Sequence, residues 1–139
     1  MGRHELREQV FKLLFRAEFY NAEDLPEQIS LFLADEENGI SEKNALYIGE
    51  RFKKIYSDLD RIDAIINGHM EKWDTGRIGT VELTVLRLAV FEMLFDEEIP
   101  DAVAINEAVE IAKTYGQDNS GGFVNAVLSK IEKTGDKDL

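Results

Sequence analysis

Between Ile78 and Phe95, twelve of eighteen positions are apolar, leaving only a narrow polar stripe at Thr80, Thr84 and Arg87. A helix that apolar must be surrounded by other elements, so it constrains everything around it. Its length borders on a membrane span, but Glu82, Arg87 and Glu92 interrupt it. Each such charge at bilayer depth would cost roughly 2.5–3.5 kcal/mol on insertion scales. The stretch therefore predicts the buried central helix of an all-α protein with no membrane association.

The segments on either side supply what surrounds it. Downstream, Ile99-Pro100-Asp101 is a breaker, and Val103 to Lys113 reads as an amphipathic helix closed by Tyr115-Gly116, with Gly116 expected at a left-handed C′ position. A last helix opens near Asn119 or Ser120 and turns Phe123, Val124, Val127, Leu128 and Ile131 inward at spacings of three and four. Upstream, Leu6, Val10, Leu13, Leu14 and Ala17 make one face of a first helix over His4 to Tyr20. Phe11, Phe15 and Phe19 form a second stripe, which either reaches into the core or leaves a ring for a partner. Leu25-Pro26 starts a short helix with Ile29, Phe32 and Leu33 inward, and Asp35 to Gly39 is a turn. Ser41 begins the longest predicted helix, in which Ala45, Ile48, Phe52, Ile55, Leu59, Ile62 and Ile66 form a seam up to Gly68. His69 to Gly76, with the single Trp73, is a connector expected to contain one helical turn. It divides an N-terminal helical half, about 3–68, from a C-terminal half, about 70–133, and no strand pattern appears anywhere.

The chemistry classes are narrowed by what the chain lacks. Without cysteine there is no disulfide or thiolate site, and His4 and His69 lie on no metal-ligand spacing. Gly121-Gly122 lacks the residues of a phosphate-cradling loop, so neither cofactor nor metal is expected. The first twenty residues contain no secretory apolar run, which makes a cytoplasmic address the expectation. The net charge of −12 argues against nonspecific nucleic-acid binding, yet it is unevenly spread. Residues 1–16 are net +2, whereas residues 23–50 hold eight acids against Lys43 alone.

Three features offer binding chemistry. Arg3 and Arg7, flanking His4, sit one helical turn apart and can reach one phosphate track; an ordinary solvated first turn is the alternative. Gly121 and Gly122 begin the last helix, where unpaired N–H groups can approach an anion, or else form a flexible cap. Thr80, Thr84 and Arg87, with Glu82 nearby, are either a solvent edge or an interface.

The run Arg77-Ile78, then Leu86-Arg87-Leu88-Ala89-Val90-Phe91-Glu92, Ile99-Pro100, Val103-Ala104-Ile105-Asn106-Glu107-Ala108, Ala112-Lys113-Thr114-Tyr115-Gly116 and Phe123-Val124-Asn125-Ala126-Val127-Leu128 resembles the C-terminal signature of the NusB family of transcription antitermination factors. Arg7-Glu8, Val10 and Leu14-Phe15 extend the resemblance to the amino end. It implies a bundle of about seven helices in two packed three-helix subdomains and a non-enzymatic role. Members of that family bind boxA RNA as a single strand together with the ribosomal protein NusE, and through other Nus factors act on the RNA polymerase elongation complex during ribosomal RNA transcription. Carried over by position, Arg3, Arg7, Arg77, Tyr115, Asn119 and Phe123 would face RNA, and Phe15 and Glu82 would face NusE, with Arg87 on the same polar strip. Two positions depart from the usual pattern: the arginine cluster at the start is sparser, and Gly122 stands where a lysine is common. Each removes positive charge from the expected RNA face, so RNA affinity is expected to lean on the protein partner. A monomer or weak homodimer is expected. The rival readings are a helical interaction module or homo-oligomer without boxA binding, and a stand-alone relative of the RNA-binding domain of ribosomal RNA cytosine methyltransferases. No chain remains here for the cofactor-binding domain of such an enzyme.

Overall fold

The computed structural model describes residues 1–70 and 78–134, and every regular element among them is helical. The expected turn near Trp73 lies outside the described residues, as does Arg77. Two compact units divide between Ser57 and Asp58.

The first unit holds α1 (Arg3–Ala17), α2 (Leu25–Ala34), a 3-10 turn over Glu36–Asn38, and α3 (Glu42–Ser57). Val10, Phe11, Leu13, Leu14 and Ala17 of α1 are buried, together with Phe32 of α2 and Ile48, Phe52 and Ile55 of α3. These are the spacings of three and four expected of helices sharing one core. The turn between α2 and α3 is set by local hydrogen bonding. Asp35 accepts from the Glu37 amide at 3.0 Å, and the Asn38 side chain donates to the Phe32 carbonyl at 2.8 Å. Gly39 closes it at φ +61°, a left-handed conformation that disfavours a side chain.

The second unit holds α4 (Leu59–Asn67), α5 (Thr80–Phe95), α6 (Asp101–Tyr115) and α7 (Ser120–Thr134). As its apolarity demands, α5 is the buried centre, with Leu86 and Val90 wholly enclosed. α4, α6 and α7 all pack on it, and α6 and α7 pack on each other.

Three expectations are corrected. The long helix predicted from Ser41 to Gly68 is two helices, broken at Asp58, whose φ of −105° and ψ of 11° leave the helical region. The Ser57 hydroxyl donates to the Lys54 carbonyl at 2.9 Å, and the Ile62 amide then donates to the Asp58 carbonyl at 2.9 Å to open α4. Polar side chains that bond the nearby backbone loosen a helix in this way. The apolar spacing continues across the break, so periodicity could not register it. Because α4 packs on α5 and α7, the boundary between compact units falls before α4, earlier than the connector near residue 70. Gly116, expected to be left-handed, has φ −100° and ψ −158°. What requires glycine there is space, since a Cβ would lie 2.6 Å from Ser120 Oγ and 2.7 Å from the Ala112 carbonyl oxygen.

Candidate nucleic-acid and partner interface

The turn between α6 and α7 gathers most of the expected RNA-facing residues. Pro100 precedes the first turn of α6, and Gly116 permits the tight departure at its end, so Tyr115 leaves the helix 36 % exposed. Asn119 is exposed just before α7, and Phe123, in its first turn, is half-buried. The two glycines between them differ. Gly122 is exposed, with nothing within 4 Å of the position a Cβ would take. Gly121 is buried, and a Cβ there would meet Lys113 Cγ at 3.1 Å. Gly121 is thus a packing glycine that seats the aliphatic stem of Lys113 beside the start of α7. Lys113 is exposed and adds a cation to this turn. It lay within the family-like run, but nothing in its spacing marked it as a site residue.

The turn is held from below by Ser120. Its hydroxyl, 1 % exposed, donates to Glu82 Oε1 at 2.6 Å and accepts from the Gln117 amide at 2.9 Å. A charge-assisted bond of this kind is among the stronger neutral-to-ion contacts. Glu82, expected to face a partner, is therefore already bonded to the turn that carries Tyr115, Asn119 and Phe123. The rest of the polar strip on α5 is also engaged within the unit. Thr84, 1 % exposed, donates to the Thr80 carbonyl at 2.6 Å. Arg87 makes a two-pronged pair with Asp63 of α4, Nε to Oδ1 at 2.9 Å and Nη2 to Oδ2 at 2.8 Å. The strip read as a solvent edge or an interface thus ties α4 and α7 to α5.

In the first unit, Arg3 is exposed and Arg7 half-buried, one turn apart on α1. His4 between them reaches Glu8 Oε1 at 3.1 Å. Farther along, the aromatic stripe grades from core to surface. Phe11 is buried, Phe15 half-buried and Phe19 65 % exposed, with ring centroids 6.1 and 5.2 Å apart in turn. The reading in which all three rings are core fails at Phe19. Phe15 instead links a buried ring to an exposed one, a geometry that offers both anchoring and contact area. Among the described residues, no three His, Asp or Glu side chains converge where a metal could be held.

Residues 4–133 match the model of the NusB family. The transcription antitermination protein NusB of Lachnoclostridium phytofermentans is 45 % identical over 131 residues, covering 94 % of this chain and 98 % of the relative. Among solved structures, NusB of T. maritima is 41 % identical with a TM-score of 0.85, covering 96 % of this chain and 92 % of the other. A structure of the antitermination factors NusB and NusE in complex with dsRNA contains a chain 28 % identical, with a TM-score of 0.79 and coverage of 95 % and 96 %. A resemblance first carried by short motifs at both ends thus holds over nearly the whole length, and the chain belongs to the NusB family.

Proposed function

We propose that this chain is a non-enzymatic, RNA-binding transcription antitermination factor that takes boxA RNA as a single strand together with NusE. The observation that carries this reading is the likeness over nearly the whole chain to a relative solved with NusE and dsRNA. The local chemistry agrees with it. At the α6–α7 turn, Tyr115 and Phe123 offer ring faces for stacking, Asn119 offers hydrogen bonds, and Lys113 offers charge beside the open start of α7. Single-stranded RNA is recognised by that combination of stacking and edge contacts. Arg3 and Arg7 supply phosphate contacts on α1, and the exposed end of the aromatic stripe at Phe15 and Phe19 supplies the apolar surface that NusE covers. Glu82 serves the complex by fixing the α6–α7 turn, and any contact of its own with NusE adds to that.

The test is a pull-down with purified NusE at stated salt, with boxA RNA as a single strand, with the same sequence paired to its complement, with a scrambled single strand, and without RNA. Retention of NusE in every arm and tighter retention with the single strand are expected. Failure to retain NusE, or equal behaviour with a scrambled RNA, would refute the reading.

A further inference from the structure

Between α2 and α3 of the first unit runs an open groove of about 610 Å³. Leu25, Leu33 and Phe52 line its depth, while Leu46 and Tyr56 stand on its rim, 70 % and 40 % exposed. Gly49 lies where the helices meet, and a Cβ there would touch Leu33 Cδ1 at 3.4 Å. A lone exposed leucine needs no explanation. Two large apolar side chains flanking a continuous apolar groove between helices are the form in which protein surfaces receive a partner.

The charge around the groove narrows what that partner is. All eight carboxylates between residues 23 and 50 are exposed, and none forms an ion pair with a described residue. Glu50 lines the groove itself, and Lys53 is the one base that does. Lys43 is the only base among residues 23–50, and Arg51 and Lys54 are the further bases on α3. Carboxylates held this densely without counterions repel one another and are relieved by cations brought from outside. Self-pairing through this face would set the same acidic surface against itself, because a two-fold interface uses one patch twice. RNA would meet the least favourable charge on the unit.

We propose that the α2–α3 groove docks an amphipathic helix of another protein, with apolar residues at i, i+3 or i+4 and i+7 entering the groove and Lys or Arg residues on its flanks. This is the helix-in-groove mode, in which the apolar stripe gives affinity and the charges give rate and selectivity. Leu46 and Tyr56 close over the apolar stripe. Glu50 and the acidic α2–α3 turn engage the basic flanks.

The probe is a fluorescent synthetic peptide of about 18 residues, Leu at those spacings and Lys elsewhere, read by anisotropy and by amide chemical shifts of the full chain. Binding near micromolar Kd is expected, with shifts confined to α2 and α3. A peptide of the same composition but scrambled so that no stripe forms is expected to bind at least about tenfold more weakly. Leu46→Asp, at an exposed position, is expected to lose about tenfold in affinity through faster dissociation, with the helical signal unchanged. Glu50→Lys is expected to slow association and flatten the salt dependence while barely changing dissociation. Should Leu46→Asp perturb folding, Tyr56→Ser reads the same contact. Equal binding of the scrambled peptide, shifts away from α2 and α3, or unchanged affinity in the folded Leu46 or Tyr56 variant would overturn the proposal. So would self-association in sedimentation that Leu46→Asp abolishes, since the groove would then be occupied by a second copy.

Discussion

The hydroxyl of Ser120 ties the start of α7 to α5 and to the preceding turn through one buried oxygen, and the Arg87–Asp63 pair does the same for α4. Neither link was legible in the sequence. Periodicity says which face of a helix is buried, but Glu82 and Ser120 lie 38 residues apart and Asp63 and Arg87 lie 24 apart, and nothing local joins them. Their worth depends on burial. Losing one member of a fully buried pair costs roughly 3–5 kcal/mol, whereas an exposed pair contributes about 0–1 kcal/mol. The Arg87 and Asp63 side chains are 12 % and 22 % exposed, which places the pair between those limits. Asp63→Ala is therefore expected to destabilise the protein by about 2 kcal/mol, read as a lower urea midpoint at unchanged slope. A change below about 0.5 kcal/mol would mean that water screens the pair as it does on an open surface.

Helices as elements were largely legible, because each buries a stripe at spacings the sequence displays; their ends were less so. The break at Asp58 was hidden because Ile55, Leu59, Ile62 and Ile66 keep the same spacing through it. Gly116 was read correctly as the end of α6 but for another reason, since its need for glycine comes from the approach of Ser120 and not from its own dihedral angles. Of the proposed site, the α6–α7 turn was singled out through the family-like motifs. Lys113 was not singled out, because its place beside α7 depends on the buried Gly121, which from sequence was either an anion-approaching helix start or a flexible cap. Two glycines of this one turn are expected to respond oppositely to the same change. Gly116→Ala forces a Cβ to within 2.7 Å of a backbone carbonyl and is expected to cost about 2 kcal/mol. Gly122→Ala meets nothing within 4 Å in the first turn of α7 and is expected to stabilise by about 0.5 kcal/mol, chiefly by restricting the unfolded chain. Thermal or urea unfolding of the two variants beside the parent checks both signs; equal signs would show that the turn relaxes around an added Cβ.

At the scale of the whole molecule, salt acts in opposite directions on folding, through the net charge of −12, and on RNA binding, through local cations. Self-repulsion weakens the compact state and is screened within roughly 8 Å at physiological ionic strength, so the unfolding temperature is expected to rise as salt is added from low levels. RNA affinity is expected to fall over the same range, because each phosphate contact releases counterions. Under the proposed placement, in which Arg3, Arg7 and Lys113 are the contacting cations, the slope of log K against log salt is expected to be about −2, at roughly −0.7 per contact on a single strand. Gly122→Lys places a fourth cation in open space at the start of α7 and is expected to tighten boxA binding and steepen that slope to about −3, whereas Arg7→Ala is expected to shift both the other way. Binding is not expected to vanish at high salt, since stacking on Tyr115 or Phe123 contributes roughly 1–3 kcal/mol per base without counterion release. Salt titrations of the parent and the two variants, each with NusE present, separate the ionic part from the stacking part. Identical slopes for all three would show that RNA contacts neither α1 nor the start of α7, and the proposed contacts at Arg7 and at Gly122 would each be wrong.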